Sequence, residues 1–221
     1  MSSRELGDGD DGRSDGDDDR SRARIDHTIT SGTFSLDGQT FDVDNNVWVV
    51  GDDEECVVID APHDVGEILE LVGERRVIAV LCTHAHDDHV RFAPELGHAV
   101  EAPVLLHPAD LPVWRLTHAD PPDGDLADGQ QIPIADIALE VLHTPGHAPG
   151  AVCFYSPDLG VVFTGDTLFN GGPGATGRSF SDHDLIVASI KDRLMSLPGD
   201  TVVKTGHGDD TTIDAERGNL D

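Results

Sequence analysis

Three histidines and two aspartates occur within the six residues 84–89, directly after a continuous apolar run typical of a buried strand. Side chains two residues apart in an extended chain point to the same side, so His84 and His86 can bind one metal ion together. Asp88 and His89 lie just beyond and can face a second ion. Imidazole nitrogens and carboxylate oxygens suit zinc and neighbouring transition metals. The segment therefore predicts a metal site at the end of a strand.

Three further potential ligands each follow a predicted strand. His147 closes His-Thr-Pro-Gly-His, Asp166 closes Phe-Thr-Gly-Asp, and His207 lies in Thr-Gly-His-Gly. Each motif alone is weak, but their joint occurrence in this order favours one site. Two metal ions about 3.5–4 Å apart need a shared ligand, and a carboxylate such as Asp166 can bridge them.

Four other residues are candidates for supporting roles. Ligating histidines need a partner on the second ring nitrogen. The candidates for that partner are Thr83, His143 and Asp60, which ends a predicted strand just before a turn. Asp60 is equally well suited to capping the turn that it begins. Arg178 ends the glycine-rich stretch 172–178, where it is a candidate substrate anchor or a solvated loop arginine.

The predicted elements position these residues at strand ends. Strands are predicted at 27–34, 39–44, 46–50, 56–60, 77–82, 104–107, 137–143, 152–155, 161–164 and 201–204, and helices at 65–72, 92–96, 108–116 and 185–197. This order predicts an α/β domain of mixed sheets with helices outside. Loops at strand ends are where open α/β folds place their sites.

Length and composition fit one domain in a reducing compartment. The 221 residues suffice for one buried core, with a disordered acidic tail at 1–24 and the folded domain at 25–221. No apolar run reaches the roughly 20 residues of a membrane helix, and the first 24 residues do not form a secretory signal. The cysteines, Cys56, Cys82 and Cys153, are too few for a disulfide framework. We therefore expect a cytoplasmic protein with buried cysteines.

The charge excludes one class of partner. The formal net charge is −29 at pH 7, with only two lysines. Such a surface repels phosphate backbones, so we expect no binding to nucleic acid, and a small-molecule substrate instead. No feature of the sequence specifies an oligomeric state.

The motifs together resemble those of a known family. Residues 83–89, 143–147, 164–169 and 205–208 look like the metal-binding motifs of the metallo-β-lactamase superfamily, closest to its glyoxalase II-like (hydroxyacylglutathione hydrolase-like) branch. The resemblance covers about residues 28–213. It implies the αββα sandwich, two mixed β-sheets face to face with helices outside. Zinc β-lactamases that carry a cysteine in place of Asp166 do not fit.

The resemblance also implies a ligand set and a reaction. His84, His86 and His147 would bind the first metal, Asp88, His89 and His207 the second, and Asp166 would bridge. The two divalent ions are expected to be zinc, with iron or manganese as alternatives. A bridging hydroxide, oriented by Asp88, would attack the carbonyl of a thioester, whose thiolate leaves without a dedicated acid.

The chain also departs from that branch. Glyoxalase II carries a C-terminal helical domain that holds glutathione, whereas 14 residues follow His207 here. Alternatives are therefore a lactonase with the same two ions, or a persulfide dioxygenase using one iron held by His84 or a close neighbour, His147 and Asp166. That second family usually shows Gly-Arg-X-Asp-Phe, but Phe180 here follows Gly-Arg-Ser directly. A non-catalytic, metal-stabilised binding module is less favoured, since seven ligands for two ions leave open positions.

Overall fold

The computed structural model describes residues 22–220. The predicted tail, residues 1–24, lies outside this range except for residues 22–24, of which Arg24 is already the first residue of the first strand. None of the helices among residues 22–220 is long and apolar enough to cross a membrane.

The first sheet has six strands in sequential order. They are β1 (Arg24–Leu36), β2 (Gln39–Gly51), β3 (Glu55–Ile59), β4 (Arg76–Leu81), β5 (Val104–Leu106) and β6 (Gly124–Asp125). Strands β1 to β3 are antiparallel, and β3 to β6 are parallel. The apolar β4 is therefore central, as its continuous hydrophobic sequence predicts.

The second sheet also has six strands, in the order β14-β13-β10-β9-β8-β7. They are β7 (Gln131–Ile134), β8 (Ile137–His143), β9 (Val152–Ser156), β10 (Val161–Gly165), β13 (Val202–Thr205) and β14 (Thr211–Thr212). All neighbours are antiparallel except β10 and β13, which are parallel. A separate pair, β11 (Leu168–Phe169) and β12 (Gly172–Pro173), lies in the loop after β10.

Among residues 22–220, six α-helices connect and cover the strands. They are α1 (Val65–Val72), α2 (Asp87–Val90), α3 (Ala93–Ala99), α4 (Leu111–Trp114), α5 (His183–Ser189) and α6 (Ile213–Glu216). Helix α1 matches its prediction because Asp64 caps its first turn, accepting from the Glu67 backbone N–H at 3.1 Å, while Ile68 and Val72 are buried. A π-helical turn, Ile190–Leu194, extends α5.

Three apolar clusters show the layering. One lies between the sheets, where Trp48 and Leu81 meet Phe154 and Phe163. A second packs the outer face of the first sheet against helices such as α1. A third packs the outer face of the second sheet against α5 through residues such as Ile186. The predicted α/β class and αββα sandwich are confirmed.

Several predicted boundaries were wrong. The strands predicted at 39–44 and 46–50 are one strand, β2, because β1 pairs with it over all 13 residues. The helix predicted at 92–96 is preceded by α2, which begins inside the histidine motif. Strands β6 and β7 lie where the sequence pattern predicts no strand. Both are short strands, whose pairing depends on partners distant in sequence.

Candidate metal centre

Four loops bring the seven predicted ligands to one end of the sandwich. His84 and His86 lie in the extended segment after β4, and Asp88 and His89 lie on α2 directly after it. His147 follows β8, Asp166 follows β10, and His207 follows β13. One of these loops leaves the first sheet and three leave the second, and all four meet at the same edge of the sandwich.

Two glycines allow this close approach. Gly165 has a positive φ of 48°, and a Cβ there would lie 2.5 Å from the Thr83 hydroxyl oxygen. A Cβ on Gly206 would lie 2.4 Å from Asp166 Oδ1. Both distances are shorter than the contacts that real Cβ atoms make, so a side chain at either position would clash with its neighbour. Close packing therefore requires glycine directly before Asp166 and before His207.

The first group consists of three imidazoles. His86 Nδ1 lies 3.1 Å from His84 Nε2 and 3.0 Å from His147 Nε2. Their ligand atoms all lie within 4.8 Å of one another, an arrangement that can hold a metal ion. His84 is 1% exposed and His147 only 7%. All three rings are buried and face one another.

The second group shares the carboxylate of Asp166 with the first. His207 Nε2 lies 3.2 Å from His89 Nε2 and 3.3 Å from Asp88 Oδ2. Asp166 Oδ1 is 3.3 Å from His89 Nε2, and its Oδ2 is 3.5 Å from both His147 Nε2 and His207 Nε2. Asp166 therefore stands between the groups, where a bridging ligand is needed.

Asp60 supports both groups from below. Its Oδ1 accepts from the Thr83 backbone N–H, and its Oδ2 accepts from the Thr83 hydroxyl, both at 2.8 Å. Oδ2 also lies 2.8 Å from His89 Nδ1, and the Thr83 hydroxyl oxygen lies 3.1 Å from His84 Nδ1. Asp60 has a positive φ of 62°, which aims its carboxylate at these partners. It fixes the rings of His84 and His89.

Backbone carbonyls orient two more rings. The Ala175 oxygen lies 2.8 Å from His147 Nδ1, and the Asp44 oxygen lies 2.7 Å from His207 Nδ1. His143, by contrast, is engaged elsewhere: its ring stacks on His107 with centroids 4.0 Å apart, and its Nε2 lies 3.0 Å from the Pro149 oxygen.

Asp110 is a supporting residue that the motifs did not reveal. Its buried carboxylate accepts from the backbone N–H of Ala85 at 2.7 Å and from that of Gly150. Ala85 separates His84 from His86, and Gly150 follows His147. One side chain therefore joins the two loops that carry the first group. Only the fold places residue 110 between them.

Two adjacent asparagines on β2 were also missed. Asn45 points into the second group, with its Nδ2 3.2 Å from Asp88 Oδ2. Asn46 points the other way and donates to the backbone oxygens of Thr205 and Gly208 at 3.1 and 3.0 Å, which secures the loop of His207. The sequence signal that could have revealed them was a pair of adjacent amide side chains next to the apolar residues of a buried strand.

Burial and charge shift the pKa values in opposite directions in the two groups. Burial lowers the pKa of His84 well below its ordinary value and that of His86 to about 3. Burial also acts on His207, but Asp166 and Asp88 outweigh it and raise its pKa to about 10. The pKa of His89 is raised in the same way, because the charges of Asp166 and Asp88 outweigh the effect of burial. The first group thus presents neutral imidazoles, and the second has carboxylates that attract a cation.

These residues fit metal ions by their donor chemistry. The first group offers unprotonated nitrogens, the form that binds metal. In the second, the buried carboxylate of Asp88 and the half-buried carboxylate of Asp166 lie among histidines, and Asp166 Oδ1 has no hydrogen-bond partner among the described residues. Such an atom is costly unless a cation or donor meets it. Outer nitrogens held by carboxylate, hydroxyl or carbonyl groups are typical of ligating histidines.

A cavity of about 420 Å³ opens over the centre. Its apolar walls come from the β1–β2 hairpin, through Phe34 and Phe41, and from Phe169. The guanidinium of Arg178 lies 5.1 Å and 4.5 Å from the ring centroids of Phe34 and Phe41. Its buried Nη1 has no hydrogen-bond partner in the described part of the chain. The backbone N–H of Ser179 donates to Asp37 at the hairpin tip at 2.9 Å.

The chain matches a family model that covers this site. The model is described as the Metallo-beta-lactamase superfamily, and it matches residues 40–207, which include all seven predicted ligands. The chain belongs to the metallo-β-lactamase superfamily. With its cluster of potential metal ligands, it falls in the class of metal-binding hydrolases.

Two relatives illustrate its place in the family. The Bacillus subtilis protein named Probable metallo-hydrolase YqgX is 31% identical over 188 residues, covering 78% of this chain and 89% of the relative. A hydroxyacylglutathione hydrolase of Aeromonas salmonicida is 32% identical over 169 residues, covering 74% of this chain but 61% of that enzyme.

Solved structures are similar over most of the fold. TTHA1623, crystallised in a di-iron-bound form, superposes with a TM-score of 0.70 at 34% identity, covering 86% of this chain and 98% of that one. BLEG-1, described as a B3 metallo-beta-lactamase, gives 0.71 at 30% identity, covering 84% and 95%. ETHE1 from Myxococcus xanthus gives 0.69 at 24% identity, covering 86% and 83%, and shares the fold.

Proposed function

We propose that this protein is a dinuclear metal-dependent hydrolase that cleaves a thioester resembling a hydroxyacylglutathione. One observation carries the proposal: two groups of inward-facing ligand atoms share Asp166 at the base of an open cavity. His84, His86 and His147 would hold the first ion, and Asp88, His89 and His207 would hold the second, because within each group the ligand atoms lie within 4.8 Å of one another.

Bound divalent ions would supply a water of lowered pKa and positive charge at the carbonyl oxygen. The chain's own residues would supply geometry. Asp88 Oδ2, 3.3 Å from His207 Nε2, faces the cavity and would orient the attacking oxygen. Asp60 and Thr83 would hold two of the rings still. A thiolate is a stable leaving group, so the site needs no separate acid.

The cavity favours a substrate with apolar and anionic parts. Phe34, Phe41 and Phe169 would contact the apolar part near the scissile bond. Arg178, held between two aromatic rings with an unpaired buried Nη1, would bind a carboxylate of the substrate. The likeness to the Aeromonas enzyme supports a glutathione-derived thioester, although this chain spans about three fifths of that enzyme.

Zinc is the proposed metal, and iron is the alternative that the di-iron form of TTHA1623 favours. The persulfide dioxygenase reaction is a further alternative, and it would use His84 or a close neighbour, His147 and Asp166 around one iron. The likeness to BLEG-1 makes a β-lactam the first competing substrate to test, and a lactone the second.

The deciding experiment is thiol release from S-lactoylglutathione by the purified protein loaded in turn with zinc, manganese and iron. We expect release that Asp166→Asn abolishes, because the amide cannot neutralise two cations. Asp158→Asn, a change on an exposed turn of the second sheet, should keep full activity. A chromogenic β-lactam, a lactone and oxygen uptake with glutathione persulfide are assayed in parallel.

Absence of thiol release with every metal would refute the thioesterase. Oxygen uptake that requires one iron per chain would instead establish the dioxygenase. Hydrolysis of the β-lactam or lactone alone would reassign the substrate while keeping the dinuclear site.

A further inference from the structure

Asn45 stands at a corner of the second metal group. It is 1% exposed, and its amide nitrogen lies 3.2 Å from Asp88 Oδ2, 3.3 Å from His89 Nε2 and 3.4 Å from His207 Nε2. Among residues 22–220, no other side chain outside the seven predicted ligands lies within hydrogen-bond distance of three of their ligand atoms.

The four atoms form a nearly regular tetrahedron. The three ligand atoms are 3.2, 3.3 and 3.7 Å apart, and the amide corner is 3.2–3.4 Å from each. The centre of a tetrahedron with such edges is about 2.0–2.3 Å from every corner, close to the roughly 2.0–2.2 Å of zinc–nitrogen and zinc–oxygen bonds. The space at the centre therefore has the size of a coordinated ion.

The opposite end of the amide can adapt. Asn45 Oδ1 lies 2.8 Å from His63 Nε2. A half-turn of the amide exchanges its oxygen and nitrogen, and the hydrogen-bond network decides between the two orientations. With a cation at the centre, an N–H pointing toward it is repelled and the oxygen is attracted. His63 then accepts the amide N–H by carrying its own proton on Nδ1.

We propose that Asn45 is a further ligand of the second metal ion, bound through its amide oxygen and oriented by His63. The inference rests on the proposed dinuclear site and not on the thioester substrate. Together with Asp88, His89, His207 and the bridging carboxylate, it gives the second ion five protein ligands. Imidazole, carboxylate and amide-oxygen ligands together suit manganese and iron as well as zinc, so the number of bound ions can be tested with any of the three metals.

Metal stoichiometry tests the proposal. The metal-free protein is titrated with Mn²⁺, with bound metal counted by mass spectrometry and ion coupling followed by electron paramagnetic resonance. Wild type and the exposed control Asn170→Ala should bind two ions with a coupled spectrum. Asn45→Ala should keep one tight ion, bind the second about 10–100-fold more weakly and lose the coupled signal. Asn45→Asp should restore both, since its carboxylate supplies an oxygen at the same corner.

The outcomes separate the two proposals. Two tight ions in Asn45→Ala, or a second site as weak in Asn45→Asp as in Asn45→Ala, would overturn the role of Asn45 while leaving the dinuclear hydrolase intact. One ion in the wild type with every metal would overturn both. Thermal melting by circular dichroism checks folding, and Asn45→Asp carries the test if Asn45→Ala fails to fold.

Discussion

Replacing Asp110 by asparagine tests whether a buried charge ties the two loops of the first metal group. The wild-type carboxylate is fully buried and accepts from the N–H groups of Ala85 and Gly150. Asparagine has nearly the same shape, but it carries no charge and offers one accepting oxygen. One of the two N–H groups then faces an amide N–H instead of an oxygen, which costs about 1–3 kcal/mol.

The pH dependence of this effect follows from the pKa of Asp110, which burial raises to about 6, against the two N–H bonds that lower it. The ordinary aspartate value is about 3.9. Between these values the folded state binds more protons than the unfolded state, so stability falls as pH rises. The stability that the protonated Asp110 gives to the folded state is fully present below about pH 4 and is lost above about pH 6. It amounts to about 3 kcal/mol. At pH 7 this loss opposes the cost of the substitution, so we expect Asp110→Asn to lie within about 2 kcal/mol of wild type.

Urea denaturation of both metal-free proteins at intervals from pH 4 to 7.5 measures the difference directly. Titrations that the two proteins share, including those of the histidine cluster, cancel in the difference. We expect the advantage of wild type over Asp110→Asn to shrink by about 3 kcal/mol across this range. A pH-independent difference would refute the reasoning, because it would mean that the carboxylate ionises as it does in water. Affinity for the first metal ion should fall in the variant at every pH, since its two loops are no longer joined.

Further predictions concern the support of the site. Asp60→Asn weakens the fixing of His89 and should lower metal affinity about 10–100-fold in a chelator competition assay, and unchanged affinity would contradict this role. Arg178→Lys keeps the charge but loses the planar stack on Phe41, so KM should rise while kcat changes little, and an unaltered KM would exclude the anchor. His143→Gln should leave metal content at the wild-type level, and loss of an ion would show a role that its contacts do not suggest. Removing metal with a chelator should lower the Tm in calorimetry, because an ion at 1,000 times its Kd stabilises the folded state by about 4 kcal/mol.

The metal-binding motifs illustrate what local sequence can predict. The spacing of His84 and His86 places both rings on one side of an extended segment, and the structure shows their nitrogens 3.1 Å apart. The apolar run before them predicted the central strand that holds them, with its end within a residue of the observed one. These features depend on the alternation of side chains, which is a property of a few consecutive residues.

The supporting residues show where such prediction ends. Asn45 and Asp110 carry no motif, and each acts on residues more than 20 positions away in sequence. His143 lies next to a ligand motif, but its ring turns to His107 instead. When two sheets pack together, polar contacts form between residues that are far apart in the sequence. Separation along the chain therefore does not predict these contacts.

The sequence by itself determined the kinds of donor atoms, their places at strand ends, and through its motifs the family and the αββα fold. Only the tertiary structure decided that Asp166 lies between two groups, that Asp110 joins two loops, and that Asn45 completes a tetrahedron. The reason is physical: donor chemistry belongs to individual side chains. Distances of 3 Å between them, in contrast, arise when strands from two sheets end at a common edge and the buried core fixes their separation.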